Sequence, residues 1–243
     1  MSLENWSPKQ FPDVVVLNGE SCRLELLNYE HIDALYDCLS MTERLEERYA
    51  YLPYGPFEGR VDFDIWFETM ITNLTLRTFV VINNKTNMIG GQLSLMNIVP
   101  RMGVMEIGHI HFSPLISKSV ITTEAIYLCL KYIFNDLKYR RCEWKCNHAN
   151  QPSGQAAMRF GFSFEGVFRQ HLVVKGKNRD TGWYAMLDFQ WNQCIENGYQ
   201  TFLNDINFII QPDANSDSNN NDNGKKIQIA KLADCIGKIP LEM

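Results

Sequence analysis

Residues 14–17 and 22–26 are short apolar-rich runs on either side of Asn18-Gly19, a dipeptide that supplies the positive φ of a tight β-hairpin. The chain is therefore expected to open with a hairpin. Asn28 then stands where a helix cap is needed, and Ile32, Leu35, Tyr36 and Leu39 recur at helical spacing. A second helical stripe runs from Phe63 through Trp66, Phe67, Met70 and Ile71 to Leu74. Between the two lies Leu52-Pro53-Tyr54-Gly55-Pro56-Phe57, too rich in Pro and Gly for periodic structure, which predicts an aromatic loop over residues 49–57.

Residues 79–82 and 89–95 read as strands across a turn at 83–87, and 105–112 as a third. A connection at 117–121 leads to a helix beginning at Thr122 or Thr123, with Ile126, Leu130, Ile133, Phe134 and Leu137 as its apolar stripe. From 141 to 146 the pattern alternates: Cys142, Trp144 and Cys146 point one way, Glu143 and Lys145 the other. A short helix over 151–160 stops at Gly161, and two strands, 164–174 and 181–189, flank a turn at 175–178. This order predicts an α+β domain over residues 1–210, a mixed sheet with helices packed on its faces. Residues 211–224 are almost wholly Asn, Asp and Ser, a composition that predicts a disordered linker. The tail at 225–243 carries Ile227, Ile229, Leu232, Ile236 and Ile239, and its pattern is compatible with docking or with mobility.

Composition narrows the function classes. With 45% apolar and 21% charged residues the chain is expected to be a soluble globular protein whose core forms by packing alone. Twenty-three Lys and Arg against 28 Asp and Glu give a net charge of -5, which argues against nucleic acid and for a cationic partner. Seven cysteines without a C-x-x-C pair point to a reducing compartment, cytoplasmic or also nuclear. No apolar run approaches the length of about 18 residues that a membrane span needs. His109, His111, His148, Cys142 and Cys146 lack zinc-ligand spacing, so no metal is expected.

The candidate chemistry begins where the strand ending at Phe112 passes into the helix ending near Leu137. A helix that starts directly after a strand aims its free N–H groups at the strand's carboxyl edge, which suits a phosphate; a plain structural crossover has the same pattern.

The run Glu106-Ile107-Gly108-His109-Ile110, then Thr123-Glu124-Ala125, Asn150-x-x-Ser153, Gly161-Phe162, Glu165-Gly166-Val167-Phe168-Arg169 and Arg179-Asp180-Thr181, resembles the GNAT superfamily of acyl-CoA-dependent N-acetyltransferases. Within it the branch containing ribosomal-protein N-terminal acetyltransferases is most similar, over roughly residues 10–192. The resemblance implies a three-layer, mostly antiparallel sheet, with acetyl-CoA as co-substrate and a primary amine as acceptor, either a protein N-terminus or a small cationic amine. It implies that the strand of Glu106 splays from that of Arg141, with the backbone of Ile110, His111 and Phe112 pairing with the cofactor arm. The loop Ser117, Lys118, Ser119, Val120, Ile121 and Thr122, running into Thr123, would hold the pyrophosphate, and Asn150 the arm. Ser117, Val120 and Thr122 stand where the family's loop commonly has Gln or Arg, Gly, and Gly or Ala. By the same resemblance Glu106 is the candidate base. Ala157 occupies the position of a Tyr acid common in the family, and Ser153 is the candidate acid in its place. Ser153 as a simple helix cap is the bland alternative. Tyr51, Tyr54, Phe57 and His109 are expected to line the acceptor site. A non-catalytic acyl-CoA or protein binding module of the same fold is the competing function. Oligomeric state has no signature in the sequence.

Overall fold

Strand β3 (Arg77–Asn83) shows how the sheet organises the chain: Phe79 and Val81 point into one core, Val80 and Ile82 into another. The architecture is that of a computed structural model in which residues 3–204, 208–211, 225–228 and 231–239 are described. Strands β1 (Val16–Asn18), β2 (Cys22–Leu26), β3, β4 (Ile89–Val99), β5 (Val104–Phe112), β6 (Arg141–Asn147), β7 (Ser163–Val174) and β8 (Lys177–Leu187) form one sheet. Their spatial order is β1-β2-β3-β4-β5-β6-β8-β7. Every neighbouring pair is antiparallel except β5 and β6, which are parallel.

Helices cover both faces, as the resemblance implies. On one side α1 (Ile32–Leu39) and α3 (Arg60–Thr72) bury Leu35, Phe63 and Phe67 over Val80, Ile82 and Ile89; the short α2 (Leu45–Tyr49) lies between them in sequence. On the other, α4 (Val120–Lys131), prolonged by a π-helical turn over Tyr132–Asp136, packs Ala125, Ile126 and Leu130 on Leu24, Phe79, Leu93 and Ile107. The same core takes in α5 (Gln151–Arg159) through Ala157. It also holds a helical run of α6 (Asp188–Gln190), a π-helical turn (Trp191–Ile195) and α7 (Glu196–Leu203), through Trp191, Ile195 and Tyr199.

Several details differ from the sequence reading. The opening hairpin turns through four residues: Asn18 pairs with Arg23, and Gly19 N–H donates to the Cys22 carbonyl at 2.9 Å. Gly19 does not adopt positive φ. The turn is held instead by Glu124 of α4, whose buried carboxylate accepts from the N–H groups of Glu20 (2.7 Å), Ser21 (2.7 Å) and Cys22 (2.9 Å). Strand β8 ends at Leu187, and the helical run after it, whose Trp191, Ile195 and Tyr199 are spaced four apart, takes the place of an unassigned segment. Strands β9 (Phe208–Gln211) and β10 (Lys225–Gln228) pair antiparallel, and residues 212–224, the rest of the expected linker, lie outside the described residues. In the tail, α8 (Leu232–Ile236) docks Leu232 and Ile236 into the main core, with Ile236 lying against Gly198 of α7.

Candidate active site

Strands β5 and β6 pair only over Val104–Glu106 and Arg141–Glu143. Beyond that ladder they diverge, and residues 107–112 of β5 keep a strand partner on the β4 side alone. The β4–β5 register breaks as well: Gln92 faces His111 while Ser94 faces Gly108, so His109 and Ile110 together oppose Leu93. This β-bulge places His109 in the left-handed region, φ +48°. Its consequence is a change of face. Ile110 and Phe112 pack toward α4, whereas Glu106, His109 and His111 all face the side of α1 and α3. A regular strand would have put Glu106 and His109 on opposite faces.

The far end of the splay meets the start of α4. The helix begins at Val120, two or three residues before the expected start at Thr122 or Thr123, so Ser117, Lys118 and Ser119 form the loop while Val120, Ile121, Thr122 and Thr123 form the first turn. Ser119 is the extended N-cap residue, but its Oγ donates to the Ile116 carbonyl at 2.6 Å and does not cap the helix. Among the described residues the first N–H groups of α4 therefore have no side-chain acceptor, and they meet an anion's needs although Val120 stands where the family's loop commonly has Gly, and Thr122 where it has Gly or Ala. Arg159 of α5 reaches the same turn, with Nη1 3.3 Å from Thr123 Oγ1. The unpaired β5 edge and the uncapped helix start fit an acyl-CoA's amide-bearing arm and pyrophosphate respectively.

The cap expected of Ser153 as its bland alternative falls to Asn150. Asn150, not Ser153, caps α5: its Oδ1 accepts from Ser153 N–H at 3.2 Å. Ser153 Oγ accepts instead from Trp144 Nε1 of β6 at 3.1 Å.

Glu106 is buried and ion-paired. Its Oε2 accepts from Asn97 Nδ2 at 2.7 Å and lies 3.0 Å from Lys145 Nζ, which also reaches Glu143 at 2.7 Å. Burial pulls the Lys145 ammonium toward a lower pKa, but the two carboxylates outweigh it and raise the net value. Burial pushes Glu143 up, and Lys145 with Arg141 more than reverses that. Arg141 continues the row to Glu165 through two bonds of 2.8 and 2.6 Å.

The aromatic loop closes over this face. Tyr54 stacks on Phe57 (6.2 Å, 9°) and on His109 (5.6 Å, 20°), and tilts against Trp66 at 4.9 Å, so three expected acceptor-site residues are brought together. They make a wall of mutually packed rings rather than an open cage. Tyr51 stands apart, its hydroxyl donating to the Ala149 carbonyl beside Asn150 at 3.3 Å. Lys175, from the β7–β8 turn, donates to the carbonyls of Tyr49 (3.0 Å) and Gly55, tying that hairpin to the loop. Burial lowers the pKa of His109; burial first and then the Arg48 charge lower that of His111 to about 3. Asn97, Lys145, Trp144, Gln92 and Tyr49 contribute to the site without having been marked as functional in the sequence. Lys145 and Trp144 left a signal there in the alternation over residues 141–146, and Tyr49 in the aromatic loop. Among the described residues no group of three or more His, Cys, Asp or Glu is arranged to hold a metal ion, and no helix is long and apolar enough to cross a membrane.

The sequence matches the acetyltransferase (GNAT) domain family over residues 22–163. In solved structures it is similar to a GCN5-related N-acetyltransferase from Brucella melitensis, at 39% identity and a TM-score of 0.86, covering 96% of this chain and 99% of that one. A probable acetyltransferase of the GNAT family from Chromobacterium violaceum is 36% identical with a TM-score of 0.73, over 79% of this chain and 96% of the other. RimL, a ribosomal L7/L12 α-N-protein acetyltransferase, shares the fold at 19% identity and a TM-score of 0.62, over 71% and 93%. No curated protein matches the sequence.

Proposed function

The chain belongs to the GNAT acetyltransferase family, and we propose that it transfers an acetyl group from acetyl-CoA to a primary amine, a protein N-terminus or a small cationic amine, by direct attack in a ternary complex. The observation that carries this reading is the splay of β5 from β6, which ends at the uncapped N-terminus of α4. Acetyl-CoA, when bound, supplies an activated thioester. The β5 backbone at Ile110, His111 and Phe112 and the amide of Asn150 hold its arm, and the turn from Ser117 to Thr123 holds the pyrophosphate.

Ser153 supplies the proton for the departing sulfur. Its hydroxyl lies in the first turn of α5 and accepts from Trp144, so its hydrogen is directed away from the indole. Glu106 takes the amine's proton, directly or through water, with Asn97 and Lys145 fixing the carboxylate. The net charge of -5 supports a cationic acceptor, and Tyr54, Phe57 and His109 offer it an aromatic wall, with Tyr51 at the loop's far side. The free thiols of all seven cysteines support a cytoplasmic setting.

A second reading is favoured by one observation, the ion pair that engages Glu106 with Lys145: a module that binds acyl-CoA and transfers nothing. The test is incubation with acetyl-CoA and a panel of N-terminal peptides and polyamines, read by mass spectrometry. A 42 Da gain on one amine class establishes transfer; binding of acetyl-CoA with no acetylated product establishes the module.

A further inference from the structure

Gln92 of β4 and His111 of β5 are direct cross-strand partners, 0% and 3% exposed, on the face that carries Glu106 and His109. Gln92 Nε2 donates to Tyr54 Oη at 3.2 Å, and among the described residues Oε1 has no partner. Among the described residues neither ring nitrogen of His111 has a partner either. Buried polar atoms in folded proteins are almost always hydrogen-bonded, so two adjacent residues with bare acceptors beside the splay need a chemical reason.

We propose that Gln92 Oε1 and the unprotonated ring nitrogen of His111 accept the two N–H groups of the acceptor's primary amine, and so direct its lone pair toward the gap between β5 and β6. This rests on the transferase reading above and adds the two residues that position the acceptor amine. A free primary amine has two N–H groups and one lone pair, which matches two acceptors and one line of attack. A secondary amine has a single N–H and leaves one buried acceptor bare, which disfavours it. Three neighbours support the arrangement. The Tyr49 ring meets His111 edge-on at 4.6 Å and holds the imidazole in place. Burial keeps that imidazole neutral, so one nitrogen always retains its lone pair. The Arg48 charge lies close enough to depress His111 further, and it opposes an ammonium at this point, so the amine sits here as its free base once Glu106 has taken the ammonium's proton.

The test uses the full chain, acetyl-CoA, and methylamine and dimethylamine as probes, following release of free thiol, with acetyl-CoA binding measured by calorimetry. The wild-type protein is expected to use methylamine at least tenfold better than dimethylamine, an outcome that needs no variant. Gln92→Leu and His111→Leu are each expected to lower kcat/KM for methylamine tenfold or more and to reduce the discrimination, with acetyl-CoA affinity unchanged in Gln92→Leu, which lies outside the cofactor-holding segment. Their melting temperatures should hold or rise, since each removes an unpaired buried polar group. Equal use of the two amines, unchanged discrimination in both variants, or no reaction with either amine in a protein that binds acetyl-CoA overturns the proposal. A lower melting temperature with unaltered amine kinetics also overturns it, because the pair would then be satisfied within the fold by internal water. Failure to bind acetyl-CoA removes the transferase reading, and this inference with it.

Discussion

Trp144 Nε1 donates to Ser153 Oγ at 3.1 Å, joining the β6 side of the splay to the first turn of α5. The bond separates two roles that the sequence left merged, since the cap of α5 is Asn150. Ser153→Ala is expected to lower kcat by roughly 10² to 10⁴, the range for a positioned acid, with acetyl-CoA affinity nearly unchanged. It should also cost about 1–3 kcal/mol of stability, because the buried indole N–H loses its acceptor. Steady-state kinetics beside urea unfolding checks both; a stability loss with normal kcat would leave Ser153 as the indole's partner alone.

Asn150→Ala separates capping from cofactor contact. Loss of the cap should cost about 1 kcal/mol, seen in thermal unfolding without ligand. A weaker acetyl-CoA affinity in calorimetry is expected in addition, and Asn150→Ser, which still caps, should restore the stability and not the affinity.

The layers of the fold were legible because periodicity reports burial: β3, buried on both faces, reads as a continuous apolar run, and Cys142, Trp144 and Cys146 alternate with Glu143 and Lys145 as the sheet requires. What was not legible depended on distant residues or single dihedrals. Asn18-Gly19 suggested a two-residue turn, but the turn is set by Glu124, about a hundred positions away, whose carboxylate takes three of its N–H groups. The bulge at His109 brings Glu106, His109 and His111 to one face and has no signature in a run of alternating residues. The helical run from Asp188 to Leu203 did carry a four-residue spacing, masked by the β-branched and aromatic residues that precede it.

Glu124→Ala tests that long-range turn. Three N–H groups lose a charged acceptor and two of them can turn to water, so a loss of about 2–3 kcal/mol is expected in denaturant unfolding. Acetyl-CoA affinity should change little, since the carboxylate faces the hairpin and not the helix start.

His111 sets a pH dependence of stability. Its folded pKa of about 3 lies below the unfolded value of 6.5, so as pH falls below about 6.5 the unfolded chain takes up a proton that the folded chain refuses. Stability is therefore full above that pH and declines toward pH 3, by up to roughly 1.4 kcal/mol per unit from this group. His111→Leu should flatten the decline, measured as the difference between the two proteins' unfolding free energies from pH 7 to pH 4.

If the splay and the α4 N-terminus hold acetyl-CoA, calorimetric titration of the wild-type protein beside Ser119→Asp will show it. Ser119 is the N-cap residue with no capping bond, so an aspartate there supplies a cap and puts a carboxylate where the pyrophosphate would lie. Saturable one-to-one binding to the wild type is expected, and binding weakened at least tenfold in Ser119→Asp despite an equal or higher melting temperature. No saturable heat with millimolar acetyl-CoA, or undiminished binding in Ser119→Asp, would contradict it.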